Sequence, residues 1–126
     1  MATTRTDKGI TASNFRGELR HSSWTLANGE AGDAMQFTEF ADKCVQFGGT
    51  FGAGGTVILE GSNDLTSPSN WSPITDPQAN AISKTAAAIE QILETPMWVR
   101  PRVTAGDGTT AITVKLVSRR GRGRAY

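Results

Sequence analysis

The chain has 126 residues, 37% of them apolar, and a formal net charge of +1 from 13 Lys plus Arg against 12 Asp plus Glu. One domain is expected, since single domains run to about 100–200 residues, and an apolar share below the usual 45–50% or so predicts a thin core with much of the chain in loops or arms. The balanced charge excludes a generally basic nucleic-acid binder, and the single Cys44 excludes an intramolecular disulfide framework and a multi-cysteine metal cage.

Residues 1–18 show no sustained period, with apolar side chains sparse (Ile10, Phe15) among Thr, Ser, Asn and Gly. Such a segment cannot bury enough apolar area to offset about 1–2 kcal/mol per residue of backbone ordering entropy. Two readings stay open: a disordered terminus, or an arm that gains order against a partner. The polar start is followed by no run of 7–15 apolar residues of the secretory kind, so no secretory signal is expected. The longest apolar runs fall far short of the roughly 20 residues of a membrane helix, so no membrane partner is expected.

From His21 onward, short apolar-bearing segments are divided by turn residues. Trp24 and Leu26 alternate and lead into Asn28-Gly29, a strong two-residue turn signal. Met35, Phe37 and Glu39 alternate next, then Cys44-Val45-Gln46-Phe47 closes on Gly48-Gly49. Thr56–Glu60 is the clearest strand, rich in β-branched residues, and runs into Gly61-Ser62-Asn63-Asp64. Trp71 and Ile74 sit among Pro68, Pro73 and Pro77, which makes that strand short or places it at an edge. Trp98–Val103 puts Trp98, Arg100 and Arg102 on one face and Val99 and Val103 on the other. After the Ala105–Gly108 turn, Ile112, Val114 and Leu116 form one stripe. Strands recurring every 8–12 residues or so predict an all-β fold, an antiparallel sandwich or barrel. The stretch Ala86–Glu94 is ambiguous: its good helix formers and apolar residues at 89, 92 and 93 suit one or two helical turns, whereas Pro96 and its shortness suit a strand edge.

Residues 119–126 form an Arg/Gly-rich tail. It holds Arg119, Arg120, Arg122 and Arg124, and taking four positive charges from +1 leaves −3 for the remainder. A mildly acidic domain therefore carries a cationic string. Three uses are open: a solubilising terminus, a contact onto an acidic partner surface, or sequence-blind attraction to nucleic acid without base readout. No specific nucleic-acid partner is expected.

No catalytic constellation is specified. His21 and Cys44 are the one histidine and one thiol, and their spacing does not pair them; an isolated Cys is usually a small buried apolar group. No G-x-S-x-G elbow is present. The glycine-rich run Gly48–Gly55 lacks the Gly-Lys-Ser/Thr of a phosphate loop and reads as a long hairpin between strands. Asp64, Asp76 and Asp107 sit in turn sequences where Asx side chains bond their own backbone. Without the dense carboxylate pattern of a calcium loop, neither metal nor cofactor is expected. Trp24, Trp71 and Trp98 suit core or inter-strand packing, with Trp71 and Trp98 the alternative as a stacking platform for a ligand.

The cadence of Thr56–Asp64, Asn70-Trp71-Ser72-Pro73-Ile74 and Trp98–Val103 resembles discoidin-like jelly rolls. With Asp76–Ala81, Ala88–Glu94 and Thr104–Thr109 added, residues 34–118 resemble capsid decoration, or cement, proteins of tailed bacteriophages. The resemblance implies an all-β, antiparallel, jelly-roll-like β-sandwich over residues 19–118, in a non-enzymatic virion protein on the outer surface of an icosahedral head, made in the host cytoplasm and bridging major capsid subunits. Arg5, Lys8 and Arg16 in the arm and Arg119, Arg120, Arg122 and Arg124 in the tail would be the capsid contacts, and copies would pack as dimers or trimers on the shell. The alternative is a glycan-binding module of a phage fibre or adhesin, with Trp71 and Trp98 as platforms.

Overall fold

The computed structural model describes residues 2–3, 6–10, 19–36 and 42–119. These form twelve strands: β1 (Ala2–Thr3), β2 (Thr6–Ile10), β3 (Leu19–Leu26), β4 (Ala31–Gly32), β5 (Met35–Gln36), β6 (Asp42–Thr50), β7 (Thr56–Ser62), β8 (Ser72–Pro73), β9 (Ser83–Lys84), β10 (Ala88–Gln91), β11 (Trp98–Ala105) and β12 (Ala111–Arg119).

Five strands pair antiparallel in the order β10-β6-β12-β3-β2. The other sheet runs β1-β4-β11-β7-β8, with β5 also on β11 and β9 also on β7. The pieces β4 and β5 lie along one side of β11, and β8 and β9 along one side of β7. Counting each pair as one position, the chain from β3 to β12 visits the two sheets in turn, staying in the same sheet once, between β7 and β8/β9. This is the double-sheet jelly-roll arrangement, so the all-β antiparallel sandwich expected from the sequence is the fold observed.

The break between β4 and β5 has a local cause. The Val103 N–H donates to the Glu30 carbonyl on that side of β11. Two residues earlier, Pro101 faces the same side and has no proton to give, so the ladder is interrupted there. The ring instead packs inward, where Gly32 leaves room: a Cβ on Gly32 would lie 2.6 Å from Trp24 Cδ1 and 3.0 Å from Pro101 Cδ. Trp24, Leu26, Val45, Phe47, Val57, Leu59, Val99, Val103, Ile112, Val114 and Leu116 fill the space between the sheets, each on the inward parity that period-2 alternation assigns.

One local expectation needs correction, and one open alternative is decided. The glycine-rich run is not a hairpin: β6 ends in one sheet and β7 begins in the other, so residues 51–55 form an arch across the sandwich. Gly52, at φ 73°, faces the Asp107 carboxylate so closely that a Cβ would lie 2.3 Å from Oδ1. The Ala86–Glu94 segment takes its strand alternative. Pairing of β10 with β6 satisfies its backbone, Ile92 is buried in the core, and Ile89 is left 64% exposed, so no single helical face is buried. At the open edge beside it, Lys84 of one sheet and Glu90 of the other form an ion pair at 2.5 Å.

Residues 1–18 lie partly outside the described structure. Where they are described, β1 pairs parallel with β4 and β2 pairs antiparallel with β3, so these stretches lie on the chain's own sheets.

Candidate functional site

Of the seven cationic residues proposed from sequence as contacts, Lys8 and Arg119 fall among the described residues; Arg5, Arg16, Arg120, Arg122 and Arg124 lie outside them. Arg119 is exposed at the end of β12, a central strand, opposite Leu19 of β3 and Asp42 of β6. Lys8 of β2 stands opposite His21, which is opposite Val117 of β12. Both thus belong to the same five-stranded sheet, and Arg119 ends its middle strand rather than an edge strand.

The inward side of that end holds two further cations. Arg20, Ser118 and Lys43 form one cross-strand row on β3, β12 and β6. Lys43 and Ser118 are buried, and burial pushes the Lys43 ammonium below its ordinary range, with Asp42 partly opposing this. Sequence reading missed Arg20 and Lys43. The signal was available: Lys43 shares the parity of Val45 and Phe47, and Arg20 that of Trp24 and Leu26.

On the outer face of the seven-stranded sheet, the alternation of β7 and β11 assembles a charged cluster. The buried Glu60 carboxylate accepts from Arg100 Nε at 3.0 Å and from Arg102 Nε and Nη2 at 3.2 and 3.0 Å. Burial raises the Glu60 carboxyl, but the two guanidiniums outweigh it and hold it below the ordinary carboxylate range. The Arg100 guanidinium also sits 4.2 Å from the Trp71 ring centroid, a cation–π arrangement that covers one face of that ring. The Trp98 indole N–H donates to the Asp64 carbonyl at 2.8 Å. Trp24 is a core residue, whereas Trp71 and Trp98 are half-buried and fixed at the same end of this sheet.

His21 and Cys44 share the outer face of the five-stranded sheet but flank Val117 on either side. Two strand spacings separate their backbones by about 10 Å, so the structure does not bring thiol and imidazole together. Among the described residues no three His, Cys, Asp or Glu side chains converge as a metal site.

The three turn carboxylates bind backbone, as Asx chemistry predicts. Asp64 Oδ2 accepts from the Ser69 and Asn70 N–H groups at 2.8 and 2.9 Å. Asp76 Oδ1 accepts from Gln78 and Asn80 at 2.9 and 3.0 Å. Asp107 Oδ2 accepts from Ala53 at 2.8 Å, tying the arch to the β11–β12 turn. Backbone donors pull the Asp64 and Asp107 carboxyls from the ordinary 3.8 down to about 2. Because the folded values are depressed, the loop order they support is present above about pH 3.8 and lost as pH falls toward about 2. NMR titration of the side-chain carboxyls is expected to place both midpoints near 2; midpoints at the ordinary value would mean that these bonds do not hold in solution.

No protein-family model matches the chain, and no curated protein matches it. Solved structures do. The crystal structure of the SPBc2 prophage-derived protein YomS is similar with a TM-score of 0.57 at 13% identity, covering 79% of this chain and 93% of that one. A cupin domain from Bordetella pertussis Tohama I is similar with a TM-score of 0.50 at 11% identity, covering 96% and 98%. The likeness is one of fold.

Proposed function

We propose that this chain is a non-catalytic structural protein of a tailed-phage particle. It sits on the outer surface of the head and bridges major capsid subunits as a decoration protein. The observation that carries the reading is the placement of charge. Arg119 is exposed at the end of a central strand of the five-stranded sheet, where the sequence continues into Arg120, Arg122 and Arg124. A cationic run following this strand in the sequence suits an acidic capsid surface, and Arg5, Lys8 and Arg16 add to it. The fold likeness to a prophage-derived protein is consistent with a phage origin. Many copies on one shell act together, so modest affinity per copy suffices through effective concentration. Dimers or trimers on the shell's symmetry axes would share each contact between subunits.

Deleting residues 120–126 tests the reading without touching β12. Occupancy of purified, undecorated heads is expected to fall severalfold at physiological salt, and the wild-type chain is expected to detach as salt rises, because exposed charges are screened beyond a Debye length of about 8 Å. Unchanged occupancy would remove the tail from the mechanism, and failure of the full-length chain to bind such heads would remove the head surface as its partner.

A further inference from the structure

An open groove of about 520 Å³ lies between β8 and residues 93–96, beside the Asn63–Trp71 loop. Its size falls within the roughly 300–1,000 Å³ of small-ligand sites. Apolar Pro73, Ile74, Leu93 and Pro96 line it together with polar Asn63, Asn70, Ser72 and Glu94. We propose that this groove binds an uncharged oligosaccharide.

Three of these polar groups, Asn63, Asn70 and Glu94, are held in place before any ligand arrives. Asn63 Oδ1 accepts the Met97 N–H at 2.9 Å, which leaves its Nδ2 as a donor without a partner among the described residues. Asn70 Nδ2 donates to Asp64 Oδ1 at 3.3 Å, which leaves its Oδ1 as an acceptor. Glu94 accepts the Thr75 N–H at 2.7 Å and the Thr75 hydroxyl, and each carboxylate oxygen keeps acceptor capacity for a ligand hydroxyl. Ser72 is exposed and makes no side-chain bond among the described residues. Anchored donors and acceptors lose little freedom on binding.

This lining fits a sugar ring, which presents hydroxyls at its edge and C–H groups on its faces; Leu93, 51% exposed, and the two prolines offer apolar contact for the latter. Charge selects further. The lining includes the Glu94 carboxylate and no Lys, Arg or His, which disfavours phosphorylated, sulfated or sialylated ligands. An extended peptide added by strand pairing is disfavoured too: the edge strand along the groove, β8, is two residues long, and Pro73 has no N–H to donate. Trp71 and Trp98 are not among the lining residues, and the proposal does not rest on the head-surface reading.

The test is titration of the ¹⁵N-labelled full chain with maltotriose, cellotriose and triacetylchitotriose, with sialyllactose as the anionic comparison. At least one neutral trisaccharide is expected to shift the Asn63 and Asn70 side-chain amide signals saturably, and sialyllactose is not. Ser72→Ala and Glu94→Gln are each expected to weaken that binding about threefold to tenfold. Ser72→Ala removes no bond of the described fold, so its result does not depend on tolerance of Glu94→Gln. The proposal is overturned if no neutral trisaccharide moves these amides, if sialyllactose binds as well, or if the shifts are confined to the Trp71 and Trp98 indoles.

Discussion

Replacing Arg100 and Arg102 together by methionine is expected to lower unfolding free energy by about 3 kcal/mol, the lower end of what breaking a buried ion pair costs. The loss comes from what remains. Glu60 is 5% exposed on an interior strand, and these two guanidiniums are its side-chain donors among the described residues; without them the buried carboxylate has no compensating partner among those residues. The lower end applies because the Arg102 side chain is 41% exposed and already screened by solvent. Glu60→Gln should cost less, since it keeps an acceptor and leaves guanidiniums that reach water.

The pH dependence gives an independent check. In the wild-type chain the Glu60 carboxyl lies below its ordinary 4.5, so its contribution is present above that value and lost as pH falls through the folded one. In the double variant, burial acts unopposed and raises the carboxyl, so the penalty grows above pH 4.5 or so and is relieved in acid. Urea unfolding at pH 7 and pH 3 should therefore show a gap that narrows on acidification. A gap of under about 1 kcal/mol at pH 7 would make the cluster a surface feature of the median exposed kind.

Trp24→Ala is expected to be at least as damaging, at about 3–5 kcal/mol. The side chain is 1% exposed, packs against Gly32 and Pro101, and donates its indole N–H to the Asp33 carbonyl at 3.0 Å. Truncation opens a cavity where the broken β4/β5 edge meets the core. Trp24→Phe keeps most of the packing and should lose about 1 kcal/mol for the hydrogen bond. From the other side, Gly32→Ala drives a Cβ to 2.6 Å from Trp24 Cδ1, and overpacking of this kind costs about 1–3 kcal/mol. Urea midpoints for the three variants check this order; a Trp24→Ala loss below Trp24→Phe would place the ring outside the cooperative core.

The candidate sites were legible in proportion to how local their causes are. Trp98, Arg100 and Arg102 were assigned to one face from alternation alone, yet Glu60, which pairs with the two arginines, lies some forty residues away and was not paired with them. The turn roles of Asp64, Asp76 and Asp107 followed from neighbouring residue types. The groove was invisible, because Asn63, Ser72 and Glu94 come from three segments that meet through the pairing of β7 with β8 and the return of residues 92–96 across it.

Sequence alone determined that this chain is all-β and antiparallel, which residues share a face in Trp98–Val103 and in the Ile112, Val114 and Leu116 stripe, and that a mildly acidic body ends in clustered arginines. These follow from side-chain alternation and turn chemistry, which act over a few residues. Tertiary structure decided the partner of every strand, the crossing of the glycine-rich arch between sheets, and the strand rather than helix at Ala88–Gln91. It also set the burial of Lys43. Those outcomes depend on which distant backbone groups satisfy one another and which surfaces exclude water together, and neither is recorded in the order of neighbouring residues.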